Sequence, residues 1–135
     1  MALTFFSDEW CEAARDAINN NDAVYKGFKD PVNFSHTMYL GLIDHPEIKT
    51  YLTFEEGNLT EWTTQPIHGD GPFDFALVAR LEHFREAAEG ETEGAKLLMG
   101  GKLRIAEGMQ LAIQNVGAFN NFLLTLGQVD TDWDI

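Results

Sequence analysis

From Gly108 to Val129 the chain runs for 22 residues without a charge, although 23% of all its residues are charged. A stretch of that length reaches across a bilayer. It is too polar to do so here, because Gln110, Gln114, Asn115, Asn120, Asn121, Thr125 and Gln128 fall within it and glycines stand among them. Its apolar residues include Met109, Ala112, Ile113, Val116, Phe119, Phe122, Leu123 and Leu126. Their spacing is mostly three and four, which predicts a helix with one wide apolar face. The opposite face carries amides rather than charges. Such a helix is expected to be covered on most sides, by the rest of the protein or by an apolar ligand.

The rest of the chain is strongly acidic. Nine Lys and Arg face 22 Asp and Glu, a formal net charge of -13. That balance disfavours nucleic acid and anionic membranes as partners, since both need clustered cations. It also keeps a protein in solution, and salt adaptation or partner selection would give the same composition. A single cysteine, Cys11, excludes an internal disulfide and a thiolate zinc cluster. The opening MALTFFSDEW has no basic region and is not read as a signal peptide. The expected location is therefore cytoplasmic. The sequon Asn58-Leu59-Thr60 is read as chance.

Ser7 is a candidate N-cap, with Asp8 and Glu9 suited to the positive end of a helix and Phe6 and Cys11 at staple positions. Trp10, Ala13, Ala14, Ala17 and Ile18 continue that helix, which should end at residues 19–22, where Asn tolerates the left-handed conformation. Residues 23–32 read as a loop or a short helical turn. Residues 34–43 alternate: Phe34, His36, Met38, Leu40 and Leu42 share one face of a strand. Two further strands flank Glu56-Gly57 as a hairpin. A Gly- and Pro-rich loop at 65–72 precedes a strand at 73–79 and a helix carrying Leu81, Phe84 and Ala88, closed by Gly90. Residues 95–99 fit either a helical turn or extended chain. Residues 102–106 alternate charge with Leu103 and Ile105 and read as a half-exposed strand. This order gives an α+β domain with a largely antiparallel sheet and its helices on one face. The domain spans 1–127; residues 128–135 form an acidic tail, with docking through Trp133 left open.

The segment LLMGGKLRIAEGMQLAIQNV, 97–116, resembles the sterol carrier protein 2 family. That family has a glycine-lysine-leucine-basic-isoleucine strand here, matched by Gly101, Lys102, Leu103, Arg104 and Ile105, then a short turn and a long lipid-facing helix. Phe6, Ser7, Trp10, Ile18 and Asn19 match its first helix, Gly57 its hairpin, and residues 74–84 its strand and helix before an acidic loop. The resemblance covers 4–127. It implies a five-stranded sheet with helices on one face enclosing a hydrophobic tunnel. It also implies carriage of a fatty acid, acyl-CoA, sterol or isoprenoid-like lipid, without a cofactor. A lipid-facing helix cannot leave unpaired charges against an apolar tail, so the charge-free run fits this role.

The residues expected to contact such a ligand are His36, Met38, Leu40, Trp62, Phe75, Leu103, Ile105, Met109, Ala112, Ile113, Val116, Phe119 and Leu123. If the pocket did chemistry instead, as an isomerase, cyclase or hydrolase, His36 and Glu61 would be the catalytic candidates, since an imidazole titrates near neutrality. Their pairing hangs on the hairpin. An even loop faces Glu61 inward; an odd loop faces Trp62 inward and Glu61 out. The sequence leaves both open, with Trp62 favoured. His45, His68 and His83 show no metal-ligand spacing, Gly69-Asp70-Gly71 reads as a turn, and neither Ser7 nor Ser35 lies in a nucleophile elbow. A partner enzyme or a second copy of the chain could dock on the apolar last helix or on the Trp133 tail.

Overall fold

A short strand β1 (Leu3–Thr4) leads into helix α1 (Asp8–Asn19) in the computed structural model, which describes residues 2–65 and 73–135. Ser7 has extended backbone, and its hydroxyl accepts the Trp10 N–H at 3.2 Å. That satisfies one of the amides the helix start leaves open. Trp10, Cys11, Ala14 and Ile18 are buried along one face. The helix ends at Asn19 without a left-handed residue, because Asn20 has φ -87°. The chain turns directly into α2 (Asp22–Gly27), and Asn21 serves as its N-cap, accepting the Ala23 N–H at 3.0 Å. Capping the next helix takes precedence over terminating the last.

The main sheet has five strands: β2 (His36–Leu42), β3 (Lys49–Glu55), β4 (Asn58–Thr63), β5 (Phe75–Ala79) and β6 (Leu103–Glu107). Their order is β4-β3-β2-β5-β6, and all pairs are antiparallel except β2 with β5. Met38, Leu40, Leu42, Leu52, Phe54, Phe75, Leu77 and Leu103 are buried, in line with the alternation. The hairpin loop is the two residues Glu56 and Gly57, with φ 51° and 82°, the pair of left-handed residues that a tight hairpin of this twist needs. With regular pairing this even loop would face Glu61 inward. It does not, because Phe54 pairs with Leu59 and Thr53 pairs with Glu61, and Thr60 is the extra residue of a bulge. The bulge reverses the facing beyond it. Leu59 and Trp62 are both buried, and Glu61 is exposed on the other face. Both sequence registers assumed unbroken pairing, so neither describes the hairpin.

Helices α3 (Leu81–Ala88) and α4 (Gly94–Met99) end alike. After α4 the Gly101 N–H donates to the Leu98 carbonyl and the Lys102 N–H to the Leu97 carbonyl. Gly101 has φ +77°, so this is a Schellman closure, and the left-handed position accounts for its glycine. The same closure at Gly90 ends α3.

The charge-free run is not one helix. It forms α5 (Met109–Gln114) and α6 (Val116–Thr125), followed by a 3-10 turn at Leu126–Gln128. The break is Asn115, with φ -122° and ψ 27°. Its buried side chain accepts the Lys29 N–H at 2.9 Å and donates to the Leu111 carbonyl at 2.9 Å. This bond ties the segment after α2 to the start of α6. The two helices approach closely: a Cβ at Gly27 would lie 2.7 Å from Ala118 backbone atoms. Residues beyond 127, expected as a tail, dock. Strand β7 (Thr131–Asp132) pairs in parallel with β1, the Trp133 ring lies 4.5 Å from Phe5, and Trp10 Nε1 donates to Thr131 Oγ1 at 2.9 Å. Among the described residues no helix is long and apolar enough to cross a membrane.

Candidate functional site

Between the β5–β6 edge of the sheet and helices α4, α5 and α6 lies an apolar cavity of about 40 Å³. The sheet contributes Phe75, Leu77, Leu103 and Ile105. Helices α5 and α6 contribute Ala112, Val116, Phe119, Asn120 and Leu123, and α4 contributes Gly94, Ala95 and Leu98. Among the described residues, Asn120 supplies the one polar side chain in this wall, and its amide oxygen accepts the Gly94 N–H at 2.8 Å. The volume suits a small molecule of water's size and lies far below the roughly 300 Å³ of a small-molecule site. A ring fills the remaining space: Phe119 stacks on Phe75 with centroids 4.5 Å apart and planes 4° apart. The tunnel implied by the family resemblance is thus a small chamber here, because aromatic side chains of α6 occupy the interior.

Seven of the thirteen expected contact residues meet at this chamber: Phe75, Leu103, Ile105, Ala112, Val116, Phe119 and Leu123. The other six do not. Met38 and Leu40 are buried in the core away from it. Trp62 is buried as well, but its indole packs against Trp10 and Phe122, and its Nε1 donates to Thr50 Oγ1 at 2.9 Å. Met109 and Ile113 lie on the outer side of α5, at 53% and 63% exposure.

His36 stands at the start of β2, partly exposed, with Nδ1 3.4 Å from Asp74 Oδ2 and its ring edge-on to Phe34. Glu61 is on the opposite face of the sheet, because the bulge at Thr60 turned it outward. The two candidates for acid–base chemistry are therefore not brought together. His45 and His83 lie beside Glu47 and Glu82 at 3.9 and 3.7 Å; His68 and the Gly69-Asp70-Gly71 turn lie outside the described residues. Burial, aided by Asp8, pushes the Cys11 thiol up to about 12, which leaves it no thiolate near neutral pH.

Leu77, Gly94, Ala95, Leu98 and Asn120 also line the chamber and were not anticipated. Leu77 was available from strand alternation with Phe75. The α4 residues were not, because a six-residue helix shows too little periodicity to assign a face.

Comparison with known proteins bears on this arrangement. A crystal structure of sterol carrier protein 2 superposes with a TM-score of 0.77 at 20% identity, covering 93% of this chain and 98% of that one. A conserved hypothetical protein of Thermus thermophilus, described as possibly a sterol carrier protein, gives 0.72 at 19% identity, covering 98% and 94%. The apo form of sterol carrier protein 2 from Yarrowia lipolytica gives 0.51 at 18% identity, covering 85% and 87%. A search of curated proteins found no match. At these identities the structures speak for the fold. The sequence speaks for descent: residues 33–120, which include the sheet, α3, α4, α5 and half of α6, match the model of the SCP-2 sterol transfer family, and the chain belongs to that family.

Proposed function

We propose that this protein is a carrier that binds one hydrophobic molecule, of fatty acyl, isoprenoid or sterol type, between β5–β6 and helices α5 and α6. The observation that carries this reading is the apolar chamber at the sheet–helix junction, with Asn120 as its polar side chain and a single aromatic stack closing it. Its lid is weak. Helix α5 has six residues, begins at the left-handed Gly108 and ends at the Asn115 break, and so short a helix has little stability of its own. Only Ala112 of α5 is buried. Withdrawing α5 and turning Phe119 off Phe75 enlarges the chamber at modest cost, and the ligand's apolar surface offsets it at about 25 cal/mol per Å². A carrier of this kind performs no bond chemistry. The exposed Met109 and Ile113 on the outer side of α5, with Val116 at the start of α6, are where a partner enzyme or a second copy of the chain would receive the cargo.

The test is native mass spectrometry of the purified chain, followed by organic extraction and titration with a fluorescent acyl probe. A stoichiometric lipid, or saturable probe binding that a Phe119→Trp substitution abolishes, is the expected result. No retained lipid and no saturable binding would refute the reading.

A further inference from the structure

Beside the apolar chamber lies a second one of about 170 Å³ with a mixed lining. Ala87, Gly90 and Leu124 line it together with Thr92 and Glu93. Gly94 and Asn120 line both chambers. The partition between them is thin. Gly94 contributes no side chain, and the hydrogen bond across it runs from the Gly94 N–H to Asn120 Oδ1. A Cβ at position 94 would lie 3.1 Å from Leu123 Cδ1 and 3.2 Å from Asn120 Oδ1. Neither chamber, nor the two together, reaches the roughly 300 Å³ of a small-molecule site, so the site opens further on binding, but Thr92 and Glu93 add to the second lining the polar groups the first has only in Asn120.

We propose that the two chambers form one site for a single amphiphile with an uncharged, hydroxyl- or amide-bearing head. The inference rests on the carrier reading and adds the chemistry of the cargo. The apolar chain lies against Phe75 and Phe119, passes the Gly94–Asn120 partition, and leaves the head beside Thr92, Glu93 and Asn120. Among the described residues, no Lys or Arg lines either chamber. A carboxylate or phosphate head would face the Glu93 carboxylate without a cation to pair it. Glu93 already supplies the negative charge favoured at the start of α4. An ammonium head can pair with Glu93 but accepts nothing, so it leaves the Asn120 amide donors unmet. A hydroxyl or amide head accepts from Asn120 and Thr92 and donates to Glu93.

Calorimetric titration of the full chain with monolaurin, laurate and dodecylamine at pH 8, below micelle formation, tests this. Monolaurin is expected to bind at least about tenfold more tightly than laurate, and more tightly than dodecylamine, which cannot accept from Asn120. Glu93→Gln should tighten laurate several-fold and leave monolaurin nearly unchanged. Gly94→Ala, which thickens the partition, should weaken monolaurin. Glu93 is exposed, so its variant keeps the test intact if Gly94→Ala folds poorly. Laurate or dodecylamine binding as tightly as monolaurin, with no response to Glu93→Gln, overturns this inference and leaves the carrier reading standing. Binding of none of the three overturns both.

Discussion

The two ends of the interior are built differently. At the α1–β4 end, Trp10 is fully buried, meets Phe5, Phe6 and Trp62 edge-on, and anchors β7 through Thr131; Trp62 stacks on Phe122. At the β5–β6 end, two six-residue helices cover the sheet, a cavity persists, and Met99, Met109, Ile113 and Val116 are exposed. One end fills space with interlocking rings and the other leaves it. The difference teaches where a molecule of this shape can open. Removing cover at the aromatic end forfeits dense packing, whereas at the other end α5 buries only Ala112 and has less packing to lose.

The largest expected effect tests the rigid end. Trp10→Ala should destabilise the protein by about 3–5 kcal/mol, the range for truncating a large buried aromatic, and should loosen β7 together with α1. Chemical denaturation reads the loss, and rapid amide exchange at Thr131 would report the strand. Phe119→Ala comes next. It truncates a comparable ring, but against an existing cavity, so its cost should fall below that of Trp10→Ala, at about 2–3 kcal/mol. It should also increase binding of an acyl probe, and an equal or greater stability loss without added binding would erase the contrast between the ends. Asn115→Ala should cost about 1–3 kcal/mol by leaving the Lys29 N–H unsatisfied, measurable as a lowered Tm. Ile113→Ser is the smallest. An exposed site of this kind should change stability by no more than about 0.5 kcal/mol, while transfer of cargo to an acceptor slows if the rim is the hand-over surface.

Legibility in the sequence followed the same division. Signals confined to neighbouring residues came through. Ser7 as an N-cap, the alternation of Met38, Leu40 and Leu42, and the closing glycine at 90 each depend on contacts within a few positions. The cavity itself came from the family resemblance; the periodic last helix and the alternating strands then put Phe75, Leu103, Ile105, Ala112, Val116, Phe119 and Leu123 on faces that border it. It was not legible on α4, nor at Met38, Leu40 and Trp62, which face inward as expected but toward other partners. Facing is a local property; which inward residues border empty space depends on what the opposite layer supplies.

By itself, the sequence determined the α+β class, the faces of β2 and β6, the Ser7 cap, the Gly90 closure and the charge-free cover, because dihedral preference and hydrophobic period act over a few residues. Tertiary structure decided three things. The bulge at Thr60 turned Trp62 inward and Glu61 out, since the packing of Trp62 on Trp10 and Phe122 outweighs regular pairing. Asn115 divided the last helix, because its amide serves Lys29, 86 residues away in sequence. The size of the cavity was set by how closely the Phe119 ring could approach Phe75. Each outcome depends on groups far apart in the chain, and no local preference can specify it.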